Sequence, residues 1–371
     1  MITPKDLVNL PVIGDVVVLA APEATPHRAV KEIAILDAEA LTGDYDSFYP
    51  GDAVFSSLGF SGGNEAFIDE AILGLIGRDV ACIFIKGAIP YEPSERVIAA
   101  SCRRRVPLVR YGSGPLEQII SEARSLIAED ARDDRAEEQL RQLMKLRGTC
   151  DLRRRFADVT GLGGSVVQAV ALVADEGDPL VLAALKNQIA WVLPKVSPCF
   201  VTRFGDGLLA LLASDDLAPL GEADAEALTA GFGTRCAAGL SEALGVDWAD
   251  GAIAEALGCC AIARATSRLV VSWGTLGPDA FRIARGNGLL LERACAAGLG
   301  RLVASDAETG SNLVESMRAY VECGGETTLA AERLCQHPNS VRNRVNRARA
   351  VLAMENATDK QLFAYLSMIF L

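Results

Sequence analysis

A short basic helix near the C-terminus constrains the fold of this chain more than any other feature. Beyond Pro338, apolar residues recur at intervals of four, three and four, which is the spacing of one helical face. They are Val341, Val345, Ala348 and Leu352. Residues 337–349 also carry four arginines and no acid, although the whole chain has a net charge of −12. The helix therefore has one face to bury and one concentrated basic face that needs a different partner.

The residues before this helix predict two further helices and a tight turn. One apolar face contains Leu313, Met317, Tyr320 and Val321, and the glycines at 324 and 325 end that helix. Thr327 or Thr328 is placed to cap the next helix, predicted over 329–336. His337-Pro338 then forces a turn, because proline suits the first turn of a new helix. A break around 356–359 precedes a closing helix.

A short helix, a tight turn and an Arg/Asn-faced helix are typical of a helix-turn-helix that binds DNA. Arginine suits guanine edges and phosphates, and asparagine suits adenine. The residues predicted to bind DNA are Thr328, His337, Asn339, Ser340, Arg342, Asn343, Arg344, Asn346, Arg347 and Arg349. Of these, Ser340, Asn343, Arg344 and Arg347 are predicted to face the major groove, and Arg342 and Arg349 to meet phosphates. The alternative is a plain helical cap with a solvated basic face.

Upstream, strands and helices alternate as far as about residue 125. Apolar runs at 15–20, 53–57 and 80–86 predict buried strands, and 65–76 and 94–104 have helical spacing. This alternation favours an α/β domain. Residues 116–148 predict one long exposed helix, rich in charges of both signs, whose simplest interpretation is a solvated connector and whose alternative is a short dimerising coiled coil.

A second region mixes strands and helices over residues 150–305. Strands are predicted at 166–174 and 199–213, with a hairpin turn at 203–207. Helices are predicted at 180–193, 222–231 and 248–265. The fold class expected for the whole chain is α+β and multidomain: an α/β domain, a central α+β domain and an all-α helix-turn-helix.

The segment 328–344 resembles the C-terminal helix-turn-helix of the PucR/CdaR family of bacterial regulators. The positions that fill the family pattern are Ala331, Leu334, His337, Asn339, Ser340, Val341 and Arg344. Pro338 stands where the family often has a basic residue, and Ser340 where threonine is usual. Residues 49–57 resemble the family's N-terminal domain, and 203–212 lie where its GGDEF-like domain would have its signature turn.

The resemblance implies four segments. These are a PucR-like α/β domain that acts as a sensor at 1–125, a helical linker at 126–149, a degenerate GGDEF-like domain at 150–308 and the helix-turn-helix at 309–371. The signature turn is reduced to Gly205-Asp206-Gly207-Leu208, which lacks the glutamate that a nucleotide cyclase needs for divalent metal. The resemblance therefore implies a domain for ligand sensing or dimerisation.

Other chemistry finds little support in the residues. The ten cysteines form no CxxC pair and there are only two histidines, so a zinc site is not expected. Gly161-Leu162-Gly163-Gly164-Ser165 lacks the lysine of a phosphate-binding loop and predicts a turn. We therefore expect no catalytic residues, no metal, no cofactor and no enzyme activity, and no cofactor-binding residue is singled out.

The function expected is sequence-specific DNA binding that regulates transcription in response to a small catabolic metabolite. The partners are a double-stranded DNA operator, a small-molecule effector of unknown identity, and a second copy of the chain in a homodimer or higher homo-oligomer, because one helix-turn-helix reads one half-site. No stretch reaches the ~20 apolar residues of a membrane helix, so a cytoplasmic location is expected. The alternatives are a regulator fused to a nucleotide-processing enzyme and a protein-interaction module that does not bind DNA.

Overall fold

The chain divides into two compact units, residues 1–135 and residues 136–371. The computed structural model describes residues 2–20, 28–146, 150–174, 179–232, 236–276, 280 and 288–370. Within those residues, no helix combines the length and the apolar character needed to cross a membrane. Helices and strands are both abundant, which confirms the predicted α+β class.

The first unit is built on a five-stranded sheet. Its strands are β1 (Val17–Ala20), β2 (Glu32–Ile35), β3 (Asp52–Ser56), β4 (Cys82–Lys86) and β5 (Leu108–Tyr111). They lie in the order β1-β5-β4-β3-β2, with β2 to β5 parallel and β1 antiparallel to β5. The central strands β3 and β4 are almost wholly buried, as expected for parallel strands covered on both faces.

Helices cover both faces of this sheet. They are α1 (Pro4–Val8), α2 (Glu39–Thr42), α3 (Glu65–Gly77), α4 (Glu95–Arg104) and α5 (Leu116–Leu143). Ile72 of α3 and Val97 of α4 belong to one apolar core, and Leu7 and Ile120 belong to the other. The predicted α/β alternation is therefore confirmed. The charged segment predicted as a long helix is also helical, since α5 is continuous to Leu143.

The second unit contains a six-stranded, mostly antiparallel sheet. Its strands are β6 (Val166–Ala174), β7 (Cys199–Phe204), β8 (Gly207–Ser214), β9 (Cys236–Leu240), β10 (Leu244–Gly245) and β11 (Val270–Ser272). The order is β11-β9-β6-β8-β7, with β10 paired to β6. The hairpin predicted at 203–207 joins β7 to β8.

Four helices pack on this sheet: α6 (Cys150–Thr160), α7 (Pro179–Val192), α8 (Glu222–Thr229) and α9 (Ala249–Ala265). The order β6-α7-β7-β8-α8-β9 is the β-α-β-β-α-β arrangement of ferredoxin-like domains. Phe156 of α6 and Ile253 of α9 pack on one face, while Leu185 of α7 and Leu228 of α8 pack on the other. The glycine-rich segment after α6 is a helix-to-strand turn, as predicted.

The described part of the unit continues with five longer helices: α10 (Gly288–Thr309), α11 (Leu313–Glu322), α12 (Thr327–Arg333), α13 (Pro338–Val351) and α14 (Asp359–Phe370). The breaks between the last four fall where the sequence predicts them. Leu302 of α10 belongs to the same apolar core as Met317, Val341 and Leu366. The C-terminal helices therefore share their core with α10, which precedes them.

A buried ion pair attaches α10 to α9. Glu255 on α9 is fully buried, and its carboxylate contacts the guanidinium of Arg293 on α10. The other carboxylate oxygen accepts a hydrogen bond from the backbone N–H of Glu242 at 3.1 Å. Burial raises the pKa of Glu255 to about 7, and the opposing effects of Arg293 and of this hydrogen bond do not offset it.

The raised pKa predicts a pH-dependent stability. A carboxyl whose pKa is higher in the folded than in the unfolded protein stabilises the fold most at low pH, and loses that contribution as pH rises through about 7. Glu255→Gln should remove the part of the pH dependence of unfolding that lies between about pH 4 and 7, about 1–3 kcal/mol. Urea unfolding at several pH values measures this. Glu117→Gln, at an exposed position of α5, should keep the wild-type profile; identical profiles for all three proteins contradict the assignment.

Candidate nucleic-acid interface

One face of α13 is packed into the C-terminal core. Val341, Val345 and Ala348 are buried, and Leu352 follows them directly after the helix. They contact the core that also contains Ala331 of α12 and Met317 of α11. The apolar stripe predicted from the sequence is therefore confirmed, and it fixes which side of α13 points outward.

The outward side of α13 is a row of polar and basic side chains. The exposed residues are Asn339, Ser340, Arg342, Asn343, Asn346 and Arg347. The Arg342 guanidinium donates to the side-chain oxygen of Asn339 at 3.3 Å, which joins two members of the row. No acidic residue occurs in α13. The surface therefore presents hydrogen-bonding groups and positive charge without a competing carboxylate of its own.

Arg344 has a different environment from the one predicted for it. Its guanidinium donates to the Ser316 hydroxyl at 2.8 Å and to the side-chain oxygen of Gln336 at 2.6 Å. Ser316 lies on α11 and is fully buried. Arg344 thus ties α13 to α11 and to the turn before α13, and its polar groups are used inside the domain.

Arg349 is also engaged within the protein. Its guanidinium contacts the backbone oxygen of Ala357 and the carboxylate of Asp359, and only 14% of its side chain is exposed. These contacts hold the connection between α13 and α14. At 100° per residue, Arg344 and Arg349 lie about 60–70° from the centre of the buried stripe, closer to it than to the outward row. Helical geometry therefore explains why these two arginines lie beside the buried stripe and not in the outward row.

The turn before α13 is held by local hydrogen bonds. His337 precedes the helix, and its Nδ1 accepts a hydrogen bond from the backbone N–H of Asn339 at 3.2 Å. Pro338 occupies the first helical position, as predicted. Thr328 is exposed but does not cap α12, which begins at Thr327 after Glu326. The prediction that Thr327 or Thr328 caps this helix is therefore wrong.

The end of α12 places Cys335 in a left-handed conformation, with φ of 52°. Its N–H bonds to the Glu332 oxygen at 3.1 Å, and the Gln336 N–H bonds to the Ala331 oxygen at 2.9 Å. This pair of bonds is the Schellman motif, in which glycine usually takes the left-handed position. The helix α11 ends in the same motif with Gly324 at that position. The turn between α12 and α13 therefore contains a strained, exposed cysteine.

Cys335→Gly should stabilise the domain by about 0.5–1 kcal/mol, because it removes the strain of a side chain at positive φ. Cys335→Val should destabilise it by about 1–2 kcal/mol, because a branched side chain fits this conformation poorly. Urea unfolding of the two variants and the wild type provides the measurement. A glycine variant that is less stable than the valine variant contradicts the turn geometry.

Asp306, at the end of α10, orders the start of α11. Its carboxylate accepts hydrogen bonds from the backbone N–H groups of Leu313 at 2.6 Å and Val314 at 3.0 Å. Burial acts to raise the pKa of Asp306, but these donors, the Ser311 hydroxyl and the charge of Arg347 outweigh it and lower the pKa. An ionised Asp306 thus caps the first helix of the domain and interacts electrostatically with the outward row of α13.

The hairpin at 203–207, which the sequence relates to a nucleotide-processing turn, has other contacts. Asp206 forms an ion pair with Arg264 of α9 at 3.0 Å. The Gly205 N–H donates to Glu137 of α5 at 3.2 Å, and the Arg141 guanidinium lies 4.7 Å from the centre of the Phe204 ring. The described residues contain no group of three or more His, Cys, Asp or Glu side chains placed to hold a metal.

Comparison with known proteins agrees with the geometry of the C-terminal helices. Residues 313–368 match the PucR C-terminal helix-turn-helix domain. No curated protein matches the chain. Among solved structures, the crystal structure of a regulator of polyketide synthase expression from Bifidobacterium adolescentis aligns with a TM-score of 0.45 at 17% sequence identity, covering 63% of this chain and 91% of that chain. Residues 313–368 thus form a helix-turn-helix domain of the PucR C-terminal type.

Proposed function

We propose that this protein is a sequence-specific DNA-binding regulator of transcription and that α13 is its recognition helix. The observation that carries the proposal is the outward row of α13, which is basic, exposed and free of acidic residues in a chain of net charge −12. Because so acidic a chain repels a polyanion overall, it can bind DNA only through a surface on which positive charge is concentrated. The recognised domain type supports the same function.

The roles within the row follow from chemistry and position. Ser340, Asn343 and Arg347 read base edges in the major groove, and Arg342 binds phosphate. The surrounding exposed residues contact the sugar-phosphate backbone of the DNA. They are Thr328, His337, Asn339 and Asn346. Arg344 and Arg349 are positioning residues, because their guanidinium groups hold α13 against its neighbours.

The proposal includes at least a homodimer, since a single helix-turn-helix covers one half-site. It also divides the chain into a sensor domain at 1–125, a linker at 126–149, a degenerate GGDEF-like domain at 150–308 and the helix-turn-helix at 309–371. The element order of the central domain and its hairpin at 203–207 support that assignment. An ion pair occupies Asp206, and the usual glutamate is absent, which favours a sensing role over nucleotide turnover.

Selection of bound fragments from random double-stranded DNA by the full-length protein tests this function. We expect enrichment of a two-fold related motif whose half-sites lie about 10 base pairs apart, or a multiple of that spacing. Absence of any enriched motif contradicts sequence-specific binding. Incubation with GTP and Mg²⁺ tests the enzymatic alternative, and any turnover contradicts the proposed sensing role of the central domain.

A further inference from the structure

A cavity of about 440 Å³ lies between the β7–β8 hairpin and α9. Its size falls within the range of small-molecule sites, which are mostly apolar with a few polar groups that orient the ligand. Apolar side chains that line it include Val173, Phe204, Leu257 and Ala261. The cavity thus has an apolar interior within a single unit of the fold.

One acidic and one basic side chain line this cavity. Among the described lining residues, only Asp206 and Arg264 are ionisable at neutral pH, and their side chains form an ion pair of 3.0 Å. They are 67% and 50% exposed, respectively. An ion pair so exposed contributes at most about 1 kcal/mol, so a ligand that replaces it with two better contacts opens it at little cost.

We propose that this cavity binds a small zwitterion, an α-amino acid with an apolar side chain. The ligand carboxylate pairs with the Arg264 guanidinium, which offers parallel donors, and the ligand ammonium pairs with the Asp206 carboxylate. The apolar side chain then lies against Phe204 and Leu257. A simple carboxylic acid would leave its charge facing Asp206, and a simple amine would leave its charge facing Arg264. Only a zwitterion satisfies both members of the pair.

The hairpin also relates this cavity to α5. Phe204 and Asp206 line the cavity. Between them, the backbone N–H of Gly205 donates a hydrogen bond to the Glu137 carboxylate of α5. The Arg141 guanidinium of α5 lies over the Phe204 ring. A ligand that fixes the hairpin therefore changes the contacts of the C-terminal part of α5, residues 136–143, which belongs to the second unit. A role of this ligand as the effector rests on the proposed function. Binding of the ligand in the cavity does not depend on it.

Isothermal titration of the full-length protein with L-leucine, L-methionine and L-phenylalanine tests the inference. We expect saturable binding of at least one of them. For leucine, the matched probes are 3-methylbutylamine and 4-methylpentanoate, which each lack one of the two charges. Each should bind at least 10-fold more weakly than the amino acid. Failure of all three amino acids to bind, or equal binding of the acid or the amine, overturns the inference.

Variants locate the site. Arg264→Gln and Asp206→Asn should each weaken amino-acid binding at least 10-fold without loss of folding, because both side chains are exposed. Arg96→Gln removes a comparable exposed pair, with Glu70 at 2.8 Å in the first unit, and should leave binding unchanged. Unchanged binding in Arg264→Gln overturns the site. DNA binding without amino-acid binding defeats this inference alone, whereas amino-acid binding without DNA binding defeats only the proposed function.

Discussion

The triple variant Arg342→Ala, Asn343→Ala and Arg347→Ala should lose about 100-fold or more in affinity for the selected DNA. Each contact to a base or phosphate contributes about 1–3 kcal/mol, and about 1.4 kcal/mol corresponds to a factor of ten. All three side chains are exposed and outside the apolar core, so the melting temperature should change by about 2 °C or less. Fluorescence anisotropy with labelled DNA measures the affinity, and thermal unfolding checks the fold.

A matched control separates this effect from a general loss of positive charge. Arg154→Ala with Arg155→Ala removes two exposed arginines from α6, which lies outside the helix-turn-helix. This double variant should keep its DNA affinity within about twofold, because these two arginines lie outside the helix-turn-helix and make none of the proposed DNA contacts. A loss equal to that of the triple variant would show that net charge governs binding, and would contradict the assignment of α13.

The second large effect is expected at Gly239, the residue before the last of β9. A Cβ atom there would lie 2.1 Å from the backbone nitrogen of Cys260 and 2.2 Å from the backbone oxygen of Ala256, both on α9. The helix thus packs directly on the strand backbone, and no flexible side chain is available to move aside. Gly239→Ala should destabilise the second unit by about 3 kcal/mol or more, at or above the upper end of overpacking effects.

Urea unfolding followed by circular dichroism measures this destabilisation. Gly300→Ala is the control, because Gly300 lies in α10 with no atom within 4 Å of the added Cβ. That variant should be as stable as the wild type or more stable by about 0.5–1 kcal/mol, since alanine favours a helix over glycine. An unchanged unfolding midpoint for Gly239→Ala would contradict the close contact between β9 and α9.

Much of the C-terminal domain could be predicted because its signals are local. The periodic spacing of Val341, Val345 and Ala348 specifies the buried face of α13, and Pro338 specifies where the helix begins. The same spacing also gives the angular positions of Arg344 and Arg349 on the helix. A count of the basic residues does not use these positions. Their angular distance from the stripe distinguishes these two arginines from Arg342 and Arg347, which are exposed.

The remaining features depend on contacts between residues distant in sequence. Ser316 meets Arg344 across 28 positions, and Glu255 meets Arg293 across 38. Periodicity carries no information on such pairs, because they arise when separate elements pack. The short strands β2 and β11 also lack a distinctive pattern, since three or four residues fit several structures equally well. The exposed row proposed as the site could therefore be predicted from the sequence, but the contacts that support its helix could not.

The salt dependence of DNA affinity tests the central claim most directly. If α13 binds DNA through phosphates and bases, log K should fall linearly with log salt concentration, with a slope of about −2 for a dimer in which Arg342 of each copy neutralises one phosphate. The triple variant should show a shallower slope than the wild type. An affinity that is insensitive to salt between about 50 and 200 mM, or a slope that the triple variant leaves unchanged, would contradict DNA binding by this helix.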